Sequence, residues 1–138
     1  KLLRAVLISD LITIHQKTGI GRLSAFCGAT SAGIGAACGI AWLDGGNYEV
    51  IAHTIVNGLA ILSGMVCDGA KPSCAAKIAT AVRNGLLGYQ MYRQGCQFYG
   101  GDGIVTKGVE NTIANVGRLA NRGMRSTDCE ILNIMIGN

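Results

Sequence analysis

Apolar residues recur every three or four positions in the first stretch of the chain, which is the spacing of one face of an α-helix. Two glycines, Gly19 and Gly21, follow this stretch and suit the left-handed backbone in which helices often end. The pattern therefore predicts an amphipathic helix over residues 2–17. Its apolar positions are Leu3, Val6, Leu7, Leu11 and Ile14.

The next stretch, residues 24–43, consists mainly of Gly, Ala, Ser, Thr and Cys. A glycine inside a helix costs up to about 1 kcal/mol relative to alanine, so a helix of this composition needs a compensating gain. Small residues spaced three or four apart leave a helix face with almost no side chains, and a neighbouring helix or a ligand can approach its backbone closely. We predict such a face here. Its members are Gly28, Ala32, Gly35, Ala36 and Gly39.

Glycines and a capping residue separate this helix from the next one. Asn47, which follows Gly45 and Gly46, is a good N-cap, and residues 48–65 resume the apolar periodicity. The two stretches together predict a helical hairpin. Residues 66–73 contain the only proline of the chain, and we predict that they form an irregular loop.

Three more helices are predicted after this loop. The first covers residues 73–98 and starts at a serine that can cap it. The second covers residues 108–121 and follows a glycine-rich turn at residues 100–103. The last opens with Thr127 and Glu130, which have the spacing of a capping box.

No stretch shows the alternation of a β-strand or the turn of a β-hairpin. The sequence therefore predicts an all-α fold, a compact multi-helix domain of five to seven helices with a buried Gly/Ala-rich helical hairpin. A length of 138 residues suits one domain. Because the chain begins at Lys1 without a methionine and opens on an apolar helix, we expect residues 1–138 to be a single domain cut from a longer polypeptide.

Composition narrows the class of protein. With 49% apolar and 14% charged residues, the chain must bury a core and does not match a disordered segment. Its net charge of +4 comes from scattered Lys and Arg, so no nucleic-acid partner is indicated. Residues 23–43 and 50–67 carry no charge and approach the length of a membrane span, but their small and polar residues favour buried helices instead. We expect no membrane partner.

The six cysteines are too few for a disulfide scaffold, which favours reduced thiols or metal ligands in a cytoplasmic protein. Cys67 and Cys74 bracket the irregular loop, and Cys27 lies near the start of the Gly-rich helix. Amides at a helix start stabilise thiolates, the form that binds metals. From the spacing alone, buried inert thiols, a zinc site and an iron–sulfur cluster all stay open.

Four segments closely resemble the C-terminal part of the L-cysteine desulfidase and serine dehydratase α-chain-like family. The resemblance covers essentially all 138 residues, and its longest segment carries two of the cysteines discussed above. The segments are GRLSAFCG (21–28), GMVCDGAKPSCAAK (64–77), DGIV (102–105) and GMRSTDCEIL (123–132).

The resemblance implies an oxygen-sensitive 4Fe-4S cluster held by three cysteines, which match Cys27, Cys67 and Cys74 residue by residue. It implies that one open iron acts as a Lewis acid in β-elimination from a small L-amino acid. The substrate would be cysteine or serine, and the products pyruvate, ammonia and sulfide or water. The family's catalytic base is a cysteine near the N-terminus of the full-length protein, outside this chain. The expected partners are therefore a small amino-acid substrate and the N-terminal remainder of the same protein, and a homo-oligomer stays open.

Several polar residues near these cysteines are candidates for the chemistry. Lys71 could neutralise thiolate charge, hold a substrate carboxylate or act in catalysis, and Asp68 could bind substrate, cap the loop or pair with Lys71. Ser24, Thr30 and Ser31 lie where a helix start can bind a carboxylate, although Ser24 suits an N-cap equally well.

The remaining cysteines and the histidines have structural interpretations. We interpret Cys38, Cys96 and Cys129 as packing residues, because free thiols are among the most buried side chains. His15 and His53 have no carboxylate three or four positions further on to orient them, so we interpret both as core or surface histidines.

The sequence thus predicts an iron–sulfur-dependent carbon–sulfur or carbon–oxygen lyase in which this chain supplies the cluster ligands. We expect the sulfurs of the three ligands to lie within roughly 6 to 8 Å of one another. The alternative is a non-catalytic helical domain that binds zinc or no metal and packs against a partner.

Overall fold

The computed structural model describes residues 1–137. Within this range the regular structure is helical, and an isolated antiparallel bridge joins Phe26 to Val66. The prediction of an all-α fold with five to seven helices is confirmed. The helices are α1 (Leu2–Ile20), α2 (Gly28–Leu43), α3 (Tyr48–Ile61), α4 (Ser73–Arg93), α5 (Val109–Arg118) and α6 (Arg125–Ile136), and a π-helical turn (Leu119–Gly123) joins α5 to α6.

Several helix ends differ from the predicted ones. α1 extends to Ile20, whose side chain is buried in the core. α2 begins at Gly28, four residues later than predicted, because the segment before it pairs with the chain that follows α3. α3 ends at Ile61 for the same reason. α4 ends at Arg93, shortly before Gly95, whose φ of +79° turns the chain.

The predicted helix caps have mixed outcomes. Asn47 caps α3 as predicted, since its side-chain oxygen accepts a hydrogen bond from the Val50 amide at 3.1 Å. Ser73 does not cap α4, because Pro72 occupies the N-cap position and Ser73 is the first helical residue. The predicted capping box at Thr127 is wrong, because α6 starts directly after the π-helical turn and already includes this residue.

α2 is the central helix of the fold and packs against α1, α3 and α4. More than half of its residues are buried, which confirms the predicted buried Gly/Ala-rich hairpin of α2 and α3. The apolar core around this hairpin also takes side chains from α1, α5 and the segment before α2. Its members include Ile20, Phe26, Ile34, Leu59, Ile113 and Val116.

Glycines let neighbouring helices approach the backbone of α2. A Cβ atom at Gly39 would lie 2.7 Å from the carbonyl oxygen of Ala5 in α1, which is closer than real Cβ atoms come to such an oxygen. On another side of α2, Gly33 lies directly against the backbone of Ala81 in α4. Ala32, predicted to belong to the small-residue face, lies between these two contact faces and is exposed.

The same contacts fix the directions of the helices. Gly33 of α2 meets Ala81 of α4, and Ala37, one turn later, meets Gly85, so α2 and α4 run parallel. α1 runs antiparallel to α2, because its early residues contact the last turns of α2. The starts of α2 and α4 and the end of α1 therefore lie at one end of the molecule.

α1 is apolar on two sides. One side packs against α2, and the other exposes large apolar side chains. None of the helices in residues 1–137 has both the length and the apolar character needed to cross a membrane. The exposed residues of α1 include Leu3 (86% exposed), Leu7 (56%), Leu11 (56%) and Ile14 (61%).

Substituting Gly39 tests the role of close packing. We expect Gly39→Ala to lower the free energy of unfolding by about 1–3 kcal/mol, because the added methyl group must displace the backbone of α1. Gly28→Ala is the matched control in the same helix, since a Cβ atom there meets only the end of the Lys17 side chain, at 3.9 Å. Urea unfolding measures both variants, and equal effects would contradict the packing role.

Candidate functional site

Cys27 and Cys67 are brought together by a short antiparallel pairing of two chain segments. The Cys27 amide donates a hydrogen bond to the Met65 carbonyl at 3.0 Å, and the Cys67 amide donates to the Ala25 carbonyl at 2.6 Å. This pairing joins the segment before α2 to the segment after α3. It explains why both segments leave the helical conformation that the sequence predicted for them.

Both cysteines lie on the same side of this pairing. Phe26 and Val66 face each other and point to one side, so the residues adjacent to them point to the other. Cys27 and Cys67 are diagonal partners there, and residues in that relation lie roughly 7–8 Å apart. Cys27 is buried and Cys67 is half-buried.

Cys74 reaches the same end of the molecule through the parallel packing of α2 and α4. The starts of α2 and α4 lie at the same end of the molecule, and Cys74 belongs to the first turn of α4. The Cys74 sulfur accepts a hydrogen bond from the Lys71 amide at 3.4 Å, and its thiol donates to the Gly69 carbonyl at 3.5 Å. Cys74 is thus held at the end of the loop that begins after Cys67.

Lys77 links the segment that carries Cys67 to the helix that carries Cys74, and sequence reasoning did not select it. Its ammonium donates to the Val66 carbonyl at 2.8 Å and forms an ion pair with Asp68. The hydrogen bond with Asp68 is the main cause that raises the pKa of Lys77, against the lowering effect of partial burial, and the nearby Cys27 and Cys74 make smaller contributions. The signal that could have found Lys77 is its position three residues after Cys74, on the same helix face. We call Cys27, Cys67, Cys74, Asp68 and Lys77 together the cysteine site.

Asp68 lies between two lysines in this site. Its carboxylate forms ion pairs with both Lys71 and Lys77, so the pairing of Asp68 with Lys71 that the sequence suggested is observed. Hydrogen bonds, first from Lys71 and then from Lys77, lower the pKa of Asp68 to about 2. The carboxylate therefore remains ionised and holds both ammonium groups against the loop.

The hydroxyl residues predicted to bind substrate differ in their accessibility. Ser24 donates to the Ala120 carbonyl at 2.8 Å and accepts from the Phe26 amide at 3.0 Å, so its hydroxyl holds the segment before α2 in place. Thr30 and Ser31 are 0% exposed, and their hydroxyls have no hydrogen-bond partner within the part of the chain that the structure describes. Both lie in the first turn of α2, beneath its surface.

The other cysteines correct part of the sequence analysis. Cys38 is fully buried, and burial raises the pKa of its thiol to about 12, which agrees with a packing role. Cys96 and Cys129 are exposed, so their interpretation as packing residues is wrong. Cys96 follows the turn at Gly95, beyond the packed part of α4, and Cys129 belongs to α6, none of whose residues is buried.

The two histidines make contacts outside the cysteine site. His15 lies 2.7 Å from the exposed carboxylate of Glu110 in α5, so its orienting carboxylate comes from another helix. The ring of His53 stacks on Tyr92 with centroids 4.3 Å apart. A cavity of about 560 Å³ near the end of α5 is lined by Arg118 and has no cysteine in its wall.

The sequence profile of the serine dehydratase alpha chain family matches residues 1–133. The chain belongs to this family. Its cysteine site lies entirely within the matched residues.

The curated relatives of this chain are longer than the chain itself. A UPF0597 protein of Desulfitobacterium hafniense is 67% identical over 136 residues, which are 99% of this chain and 32% of the relative. UPF0597 proteins of Lachnoclostridium phytofermentans and Treponema denticola are 54% and 51% identical over 99% of this chain, covering 33% and 32% of their own lengths. The chain thus spans about a third of these curated relatives. No solved structure matches it.

The donor set of the cysteine site consists of thiols, which both zinc and iron–sulfur clusters accept as ligands. All six cysteines are free thiols. Among residues 1–137, no three Cys, His, Asp or Glu side chains are grouped closely enough to hold a metal ion. Zinc needs each sulfur about 2.3 Å from a single centre, whereas the thiolates of an iron–sulfur cluster bind different irons and stand further apart. The three thiols of Cys27, Cys67 and Cys74 lie on the strand pair and at the start of α4. The separation of their sulfurs stays a prediction.

Titration of Asp68 tests the geometry of the site. Its folded pKa of about 2 is below the ordinary value of 3.8, so the ion pairs stabilise the fold above about pH 4 and this stabilisation is lost as the pH falls towards 2. We expect carbon NMR of the Asp68 carboxyl to show a midpoint near 2. Lys71→Met and Lys77→Met should each raise the midpoint. A wild-type midpoint at 3.8 would show that the lysines do not contact Asp68.

Proposed function

We propose that this chain is the cluster-binding part of an iron–sulfur-dependent lyase that performs β-elimination on a small L-amino acid, either cysteine or serine. The observation that carries the proposal is the placement of Cys27, Cys67 and Cys74 at one end of the molecule around Lys77. Membership of the serine dehydratase alpha chain family supports a dehydratase-type reaction.

Cys27, Cys67 and Cys74 are the residues that would hold a 4Fe-4S cluster. Each comes from a segment fixed by its own contacts: the strand pair for Cys27 and Cys67, and the first turn of α4 for Cys74. Three thiolates leave one iron of such a cluster without a protein ligand, and that iron would supply Lewis-acid chemistry to a substrate oxygen or sulfur.

The protein around the cysteines is suited to a substrate that carries a carboxylate. The unpaired amides at the start of α2 and the positive end of its dipole favour an anion. The Lys17 ammonium lies beside the same helix start, 3.9 Å from the position of a Cβ atom on Gly28. Lys77 adds a second positive charge. We propose that the substrate carboxylate binds at this surface.

The reaction removes the α-proton and the β-substituent of the substrate. The electron pair of the Cα–H bond forms the Cα–Cβ double bond, and the thiolate or hydroxide leaves and is protonated. The resulting enamine tautomerises to an imine, and water hydrolyses the imine to pyruvate and ammonia. Lys71 is suited to hold an anion during this step rather than to take the α-proton, because its ammonium is paired with Asp68.

The base belongs, in this proposal, to the remainder of the longer polypeptide. The relatives are about three times as long as this chain, which leaves room for a second part that supplies the base. The exposed apolar side of α1 supports docking of such a part, because exposed apolar patches of this kind mark interaction surfaces. The chain would then provide cluster and carboxylate sites, and its partner the proton acceptor.

Anaerobic reconstitution with iron and sulfide tests cluster binding. We expect the wild-type chain to turn brown and bind iron, and Cys27→Ala, Cys67→Ala and Cys74→Ala each to lose most of that iron. Cys96→Ala and Cys129→Ala are the matched controls, because both cysteines are exposed and lie outside the site. A colourless wild-type protein that binds zinc instead would support the non-catalytic alternative, and equal iron loss in all five variants would refute the ligand assignment.

The chain should have no lyase activity by itself, because the proposed base lies outside it. We expect the reconstituted chain to form no pyruvate from L-cysteine or L-serine, whereas the full-length protein forms it. Pyruvate is measured by coupled reduction with lactate dehydrogenase. Turnover by the chain at the full-length rate would place the base among its own residues.

A further inference from the structure

Lys77 differs from the charged residues of the neighbouring loop because it joins two elements of the fold. It belongs to α4, its ammonium donates to two groups of the segment that carries Cys67, and its side chain is only 21% exposed. Lys71 binds the same Asp68 carboxylate but has a side chain that is 42% exposed. Of these two lysines, only Lys77 donates to the backbone of the strand pair, at the Val66 carbonyl.

The Val66 carbonyl belongs to the strand pair that carries Cys27 and Cys67. Val66 pairs with Phe26, and it directly precedes Cys67 in the chain. A charge-assisted hydrogen bond to this carbonyl therefore ties the strand pair to α4, the helix that begins at Ser73 and carries Cys74. Residues 62–72 form no helix, and this bond links their Val66 directly to α4.

We propose that Lys77 is the positioning residue of the cysteine site: its bond to the Val66 carbonyl holds Cys67 and the strand pair at a fixed distance from Cys74 and places a positive charge near these two thiols. This role would make the site pre-organised, so that ligand binding need not first order the loop. The holding role does not depend on which ligand the thiols bind. The charge-balancing role rests on the proposed cluster.

Amide hydrogen exchange in the cluster-free chain tests the holding role. The probes are the Cys27 and Cys67 amides, whose hydrogen bonds cross the strand pair. We expect Lys77→Met to speed their exchange by about tenfold, equivalent to about 1.4 kcal/mol of local stability. Lys71→Met is the matched control and should change them less than about twofold, since it removes an ion pair to the same carboxylate but leaves the Val66 bond intact. Lys77→Arg should restore most of the protection.

Exchange of core amides in α2 separates local from global effects. If Lys77→Met speeds exchange in α2 as much as at Cys27 and Cys67, the lysine supports the whole fold and the positioning role is wrong. Asp68→Asn serves as a second variant: it removes the carboxylate and leaves the Val66 bond, so we expect an effect between those of the two lysine variants. Unchanged exchange in Lys77→Met, or equal changes in Lys77→Met and Lys71→Met, would also overturn the proposal.

Iron content after reconstitution then tests the charge-balancing role. We expect Lys77→Met, which removes the positive charge, to retain less iron than Lys77→Arg, which keeps it. If the wild-type chain binds no iron but the exchange results hold, the proposed function fails and the positioning role stands. If iron binds equally in both variants, the charge-balancing role fails.

Discussion

The close approach of α1 and α4 to the backbone of α2 is the constraint on which the rest of the structure depends. α2 has little apolar side chain to bury, so its stability comes from contacts that only glycine permits. Gly39 admits α1, Gly33 admits α4, and Gly58 of α3 leaves space for the Ile34 side chain. These contacts offset the cost of so many glycines in a helix. They also set the distances between α2 and its neighbouring helices, because an added methyl group at Gly33 or Gly39 would clash with the neighbouring backbone.

The cysteine site is a consequence of these fixed axes. α2 and α4 run parallel, so both start at the end of the molecule where α3 finishes and α1 brings in Lys17. The segments that connect to these helix ends are short and must lie side by side. Their pairing at Phe26 and Val66 places two cysteines on one side, and the start of α4 adds the third. The packing far from the site thus sets the distances within it.

The sequence permitted prediction of the helices, the Asn47 cap and the irregular loop, because these depend on local periodicity and capping chemistry. It did not permit prediction of the strand pair, since the pairing of residues 25–27 with 65–67 depends on two segments that tertiary packing brings together. Lys77 was missed for the same reason: its partners lie on another segment. Gly33 was missed because the spacing of the chosen glycines marks only the side of α2 that faces α1.

The electrostatics of the site follow from the same arrangement. Two parallel helices present the positive ends of their dipoles to one region, and such ends repel each other unless negative charge lies between them. Lys17 and Lys77 add to the positive charge, while Asp68 is already engaged by two lysines. A site built in this way favours an anion in the space between the two helix starts.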